Sequence, residues 1–275
     1  MEIAVLLTCF NRREKTVKCL TSLISICPDC DIYLVDDGST DGSTEVINNQ
    51  FPDVKVFRGD GKLFWNRGMC LAWKEAAKSD YDFYLWLNDD VVLYDDFLQE
   101  LLECQSEVNN KAVISGIIES HDKQEILYGG TDIARRLIQP NGKMQKITNL
   151  NGNVVLVPRE VYQILGTLDP FYHHDLGDVD YGFRAASKGI PVYSTRKPVA
   201  YGEKNHICRE RLNNTTLKRR FKRLYSPLGS NPNINFYFRK QHKSIFNAIG
   251  YYVFQHLLNV IPDKLNQQIF GTKYQ

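Results

Sequence analysis

Chemistry first concentrates in this sequence where an apolar run ends in two acids. Tyr81–Leu87 is largely aromatic and aliphatic, the pattern of a buried strand, and Asn88, Asp89 and Asp90 follow at once. Two adjacent carboxylates buried without a partner cost several kcal/mol or are forced to protonate. The pair therefore calls for a cation, a basic partner or open solvent, although Asn-Asp-Asp is also ordinary turn chemistry. A second acidic cluster, Asp36-Asp37-Gly38-Ser39-Thr40-Asp41-Gly42, closes the run Asp31–Val35. It imitates the start of an EF-hand loop, but Asn48 stands where the closing glutamate belongs and a strand precedes it, which excludes calcium of that kind. What remains is a turn capping the next helix, or a carboxylate that accepts from a nucleotide base or ribose. The third cluster is Gly177-Asp178-Val179-Asp180, with Arg184 four residues beyond Asp180. Asp178 there reads as a helix cap beside an i,i+4 ion pair, or as a general base.

These residues need a scaffold that brings strand ends together. Ile3–Leu7 reads as a central strand ending at Thr8, and Val17, Leu20, Leu23 and Ile24 then repeat at helical spacing. Asp31–Val35 is the next strand, 44–49 a helix, Val54–Phe57 a strand, and 66–78 a helix carrying Met69, Ala72, Trp73 and Ala76. Strand and helix alternate up to Leu87, which predicts an α/β, doubly wound, mostly parallel sheet flanked by helices. In such sheets ligands gather beyond the carboxyl ends of the strands, where Thr8, Asp36, Asp37 and Asn88–Asp90 all fall. No G-x-G-x-x-G follows the first strand, so this is not a dinucleotide fingerprint.

A chain of 275 residues with 43% hydrophobic and 24% charged side chains is long enough to bury a sizeable core. Seven cysteines, without a regular framework, indicate a reducing compartment, and Cys27-Pro28-Asp29-Cys30 reads as a plain pair of thiols. The run at Ile3–Leu7 is too short for a signal-peptide core, and no stretch reads clearly as a transmembrane helix. The expectation is a cytoplasmic protein, with the inner face of the membrane as a second station.

Three of these segments carry a resemblance. Val5-Leu6-Leu7-Thr8-Cys9-Phe10-Asn11-Arg12, Val35–Asp41 and Leu87-Asn88-Asp89-Asp90-Val91, in that order, resemble family-2 glycosyltransferases of the GT-A fold. Leu150–Arg159 is similar to the family's strand beneath the acceptor site. Leu168–Phe171 with Gly177–Arg184 is similar to its glutamate–aspartate catalytic segment. The likeness spans roughly 1–206. It implies a nucleotide-sugar half over 1–95, an acceptor half over 96–206 and a helical, basic extension over 207–275.

By that resemblance Thr8, Phe10, Asn11 and Arg12 line the nucleotide pocket, Asp36 meets the pyrimidine with Asp37 beside it, and Asn66 and Gly68 approach base and diphosphate. The family's metal motif falls on Asn88-Asp89-Asp90, making Asp90 the ligand for Mg²⁺ or Mn²⁺, with His206 a downstream ligand. Asp178 matches the catalytic base, while Asn88 replaces the first aspartate of the metal motif and Gly177 the usual glutamate. The implied reaction moves a sugar, with inversion, from a UDP- or dTDP-linked donor to a hydroxyl of a glycan or lipid-linked acceptor in cell-surface polysaccharide assembly. The alternative is a non-catalytic nucleotide-sugar binder of the same fold. A nucleotidyltransferase would show a glycine-rich phosphate loop after the first strand, which Thr8–Arg13 is not. Trp65 reads equally as a sugar or nucleotide platform and as a cover for the sheet edge.

The tail differs in composition. Lys218, Arg219, Arg220, Lys222 and Arg223 precede 244–262, a stretch with no acid, lysine or arginine, in which Asn247, Tyr251, Gln255 and Asn259 fall four apart. One polar stripe on an apolar helix suits packing within the body of the protein, a contact in a homo-oligomer, or a peripheral membrane contact through 218–262. No nucleic-acid recognition motif accompanies the bases, and no nucleic-acid partner is expected.

Overall fold

A computed structural model of the chain describes residues 1–204, 211–271 and 274. Among them the sheet runs β3 (Lys55–Arg58), β2 (Asp31–Asp36), β1 (Ile3–Cys9), β4 (Phe83–Leu87), β8 (Val154–Pro158), β6 (Val113–Ser120), β9 (Val192–Gly202), β5 (Val92–Leu93), with β7 (Ile126–Tyr128) beside β6. Pairing is parallel from β3 through β4 and antiparallel at β4–β8 and β8–β6. It is parallel again at β6–β9.

All seven residues of β1 are buried because helices cover both faces of the sheet at its centre. Alternate side chains serve different cores. Ile3, Val5 and Leu7 join Leu20 and Leu23 of α1 (Arg13–Ile26) and Phe97 and Leu101 of α4 (Phe97–Glu107). Ala4 and Leu6 join Met69 and Trp73 of α3 (Phe64–Ala76) and Tyr181 of α6 (Gly177–Ser187). The period-2 pattern thus places α1 and α4 on one face and α3 and α6 on the other.

Connectivity creates the crevice. From β1 the chain steps outward through α1 to β2 and through α2 (Ser43–Gln50) to β3, then returns through α3 to lay β4 on the opposite side of β1. The strand order reverses between β1 and β4, the place where open α/β sheets leave a gap beyond their strand ends.

The described residues group into two compact units, 1–170 with 177–204, and 171–176 with 211–271 and 274. Within the second, α7 (Leu217–Leu224), α8 (Pro232–His242), α9 (Ile245–Val260) and α10 (Asp263–Phe270) bury Leu224, Ile234, Phe238, Ala248 and Leu258. Two buried arginines close the carboxyl end of α9. Arg211 Nε donates to Leu258 O at 2.9 Å, and Arg220 Nη1 to Ile261 O at 3.1 Å. Both guanidinium groups lie 2.6 Å from Asp263 Oδ1, which supplies their counter-charge.

One sequence expectation is corrected. Cys27 and Cys30 are joined in a disulfide rather than standing as thiols, because the turn after α1 brings their Cα atoms to 5.5 Å. Cys9, Cys19, Cys70 and Cys104 are free and buried.

Candidate active site

The Asn-Asp-Asp segment sits at the carboxyl end of β4, and the carboxylate pair has its basic partner. Arg12, at the end of β1, donates from Nη1 to Asp90 Oδ2 at 2.9 Å and to Asp89 Oδ1 at 3.2 Å. Thr16, one turn into α1, donates to Asp89 Oδ2 at 3.0 Å. Asp89 is almost fully buried; burial pushes its pKa up to about 6 against the opposing pull of Arg12. Desolvation therefore outweighs an ion pair whose guanidinium is about half exposed, at 47%. Asp90 is less enclosed, and its Oδ1 has no partner among the described residues.

Asn88 is held rather than free. Trp65 Nε1 donates to its Oδ1 at 2.7 Å, its Nδ2 donates to Asn153 Oδ1, and its backbone N–H donates to Asn153 O at 2.9 Å. The Trp65 ring lies against Gly152. Gly152 N–H in turn donates to Asp178 Oδ2 at 2.9 Å, and Val179 N–H donates to Asp178 Oδ1 at 2.8 Å. Through Trp65 and the 152–153 backbone, the end of β4 and the start of α6 become one constellation. Asp178 is partly buried, and burial raises its pKa despite two backbone donors. A carboxylate so placed is a stronger proton acceptor than a free aspartate. The expected pair inside α6 is present too, with Arg184 Nε 2.8 Å from Asp180 Oδ2.

Asn66 and Gly177 interlock. Asn66, fully buried, donates from Nδ2 to Asp169 O at 2.8 Å, and a Cβ at position 177 would come 1.7 Å from its Oδ1. No side chain fits at 177 while Asn66 stays, so the missing glutamate is a matter of space. Gly68 likewise lies under Thr8: a Cβ there would meet Thr8 Oγ1 at 2.3 Å. Thr8 Oγ1 donates to Val35 O at 3.1 Å, tying β1 to β2.

The acidic loop after β2 is held by its own carboxylates. Asp36 has no exposed surface; Ser39 N–H donates to its Oδ1 at 2.8 Å and Thr44 Oγ1 to its Oδ2. Asp37 accepts from Gly61 N–H and Phe64 N–H, both at 2.9 Å. Both carboxylates accept from backbone and hydroxyl groups, and so shape the loop and the entry to α3. Asn11, in the left-handed region at φ 51°, locks the same loop: its N–H donates to Ser39 Oγ and its Oδ1 accepts from Thr40 N–H. Phe10 is half exposed at the mouth.

A hard cation finds one fitting ligand. Asp90 Oδ1 is unengaged, whereas both Asp89 oxygens and the Asn88 amide oxygen are occupied. Such a donor set suits Mg²⁺ or Mn²⁺ that takes most of its ligands from phosphate and water. No group of three metal-ligating side chains occurs among the described residues, and His206 lies outside them. Two surface hollows, of about 380 and 510 Å³, border α4, the first around Arg196 and its glutamates; neither is lined by Arg12, Asn66, Asn88–Asp90 or Asp178. Trp65 and Asn153 are the contributors that sequence alone left unassigned, and Gly152, against the Trp65 ring, is the one trace of them.

Similarity to known proteins agrees with this geometry. A family model described as Glycosyl transferase family 2 matches residues 4–163. Two poly-beta-1,6-N-acetyl-D-glucosamine synthase sequences of Staphylococcus epidermidis are each 28% identical over 134 residues, covering 46% of this chain and 30% of the synthase. The match thus spans under a third of those relatives. Among solved structures, S. aureus TarS 1-349 superposes with a TM-score of 0.58 at 11% identity, over 99% of this chain and 76% of that one. TarS 1-349 in complex with UDP gives 0.53 at 15% identity, over 74% and 60%.

Proposed function

This chain belongs to glycosyl transferase family 2, and from that premise we propose that it moves a sugar, with inversion, from a nucleoside-diphosphate sugar to a hydroxyl of a growing glycan or lipid-linked glycan. The observation that carries the reading is the linkage of Asn88 to Asp178 through Trp65 and Gly152. It unites a diphosphate-side segment and a proton acceptor in one constellation.

Asp178 takes the proton from the acceptor hydroxyl as that oxygen attacks the anomeric carbon, since an alcohol is a poor nucleophile until its proton has somewhere to go. Displacement from the face opposite the leaving group inverts that carbon. The carboxylate is aimed by Gly152 N–H and Val179 N–H, which fix both its oxygens. Arg12 keeps Asp89 and Asp90 together at the end of β4 and sets positive charge beside them. Asp90 would hold Mg²⁺ or Mn²⁺, which supplies neutralisation of the departing diphosphate. A UDP- or dTDP-linked donor is favoured by the UDP carried by one structural relative and by the N-acetylglucosamine polymer named for the sequence relatives. Phe10, half exposed beyond the end of β1, would offer its ring to the base, on a loop that Asn11 fixes through Ser39 and Thr40.

Asp178→Asn tests this. Transfer from the donor is expected to fall by about 10²–10⁴-fold while UDP still raises the melting temperature as in the parent protein. Unchanged transfer would remove Asp178 from the base role. The vacancy at Gly177 favours a second reading, a nucleotide-sugar binder without turnover; a parent protein that binds donor in the presence of Mn²⁺ and never releases UDP would establish it.

A further inference from the structure

Helix α9 is built inside out. Its polar residues Gln255 and Asn259 are fully buried: Gln255 Nε2 donates to Ser230 O at 2.7 Å, and Asn259 Nδ2 to Gln255 O at 2.8 Å. The opposite face is apolar and open, with Phe246 at 82% exposure, Ile249 48%, Val253 48%, Leu257 59% and Val260 53%. Steps of three and four residues hold these five within one stripe, about 21 Å long. A water-facing helix has the reverse arrangement, and an exposed apolar stripe of this size marks an interaction surface.

What flanks the stripe identifies its occupant. At the edge of α9, His256 Nε2 lies 2.7 Å from Tyr225 Oη and its ring 5.8 Å from that of Phe221, which seats α7 alongside. Lys218, Arg219 and Lys222 of α7 are exposed. Residues 211–275 carry eleven lysines and arginines against a single carboxylate side chain, Asp263, which is already paired with Arg211 and Arg220. A second copy would meet this surface with the same charge. An apolar stripe bordered by unneutralised bases complements an anionic lipid surface, where apolar side chains enter the acyl boundary and bases stay among the headgroups.

We propose that the C-terminal unit docks this chain on an anionic bilayer, α9 seated at the acyl boundary through Phe246–Val260 and α7 at headgroup level. The proposal is independent of the catalytic reading. It is tested by co-sedimenting the full chain with vesicles of phosphatidylcholine alone or mixed with phosphatidylglycerol. Binding to the mixed vesicles, falling with salt, is expected, with little to the neutral ones. Val253→Glu combined with Leu257→Glu is expected to weaken that binding by at least about tenfold. Lys218→Gln with Lys222→Gln should narrow the difference between the two lipids. UDP binding and the circular dichroism spectrum, measured without vesicles, report whether each variant is folded. A parent protein that stays in the supernatant with the mixed vesicles overturns the proposal, as does a glutamate variant that binds like the parent. So does a parent dimer, seen by sedimentation equilibrium, that the glutamates break, since the stripe would then belong to a second copy.

Discussion

Asp89 shows what one carboxylate does when its surroundings disagree about its charge. Burial favours the neutral form and Arg12 the ionised one; burial wins, placing the pKa at about 6. The folded value stands above the unfolded one of about 4, so the folded chain keeps a proton that the unfolded chain releases between those limits. The stabilisation is complete below about pH 4 and is lost as pH rises through about 6, a difference of roughly 3 kcal/mol. Asp89→Asn is therefore expected to flatten this part of the stability–pH curve, read by urea unfolding in chelator at several pH values. Asp178 is shifted in the same direction by burial. The acid limb of kcat/KM is expected above the ordinary carboxylate range, with activity lost as pH falls through it. That Asp89 and Asp90 call for a cation, a basic partner or open solvent was legible from the sequence, because adjacent acids after an apolar strand leave few physical options; that Arg12 is the partner was not. The contacts of Asp36 and Asp37 were not legible: a turn carboxylate carries no sign in the sequence of which N–H groups it will accept from.

At the level of elements, alternation of strand and helix gave the order of the nucleotide half and the position of its strand ends. The antiparallel return of β8 beside β4 was beyond that pattern, since a buried run such as Val154–Pro158 reads alike in either direction. Helix contacts were equally hidden. Gly177 reads as a lost glutamate, whereas its reason is the Asn66 side chain on a different helix. Gly177→Ala is expected to destabilise the protein by about 1–3 kcal/mol. Combining it with Asn66→Ala should cost less than the sum of the two, as a double-mutant cycle of unfolding free energies would show. Four-residue spacing in α9 identified a polar stripe but not which way it faces, because a helical wheel carries no inside until its neighbours are placed.

On the scale of the molecule, charge is unevenly divided: the sheet unit contains the candidate site, and the sequence of the helical unit carries twelve lysines and arginines against three carboxylate side chains. Arg220→Met, which removes one of the two arginine donors to the Ile261 carbonyl and Asp263 and leaves Arg211 in place, is expected to cost the helical unit about 1–3 kcal/mol. Calorimetry should show that loss while UDP still raises the melting of the sheet unit. The aromatic packing has one more consequence. The chain has three tryptophans, and all of them belong to one group: Trp65 lies 6.4 Å from Trp86, which lies 5.4 Å from Trp73. Trp65 alone among them donates its indole N–H to Asn88. Tryptophan emission, excited beyond tyrosine absorption, therefore originates entirely at this spot, and excitation shared among the three rings would carry any disturbance of the Asn88 amide into the whole emission band.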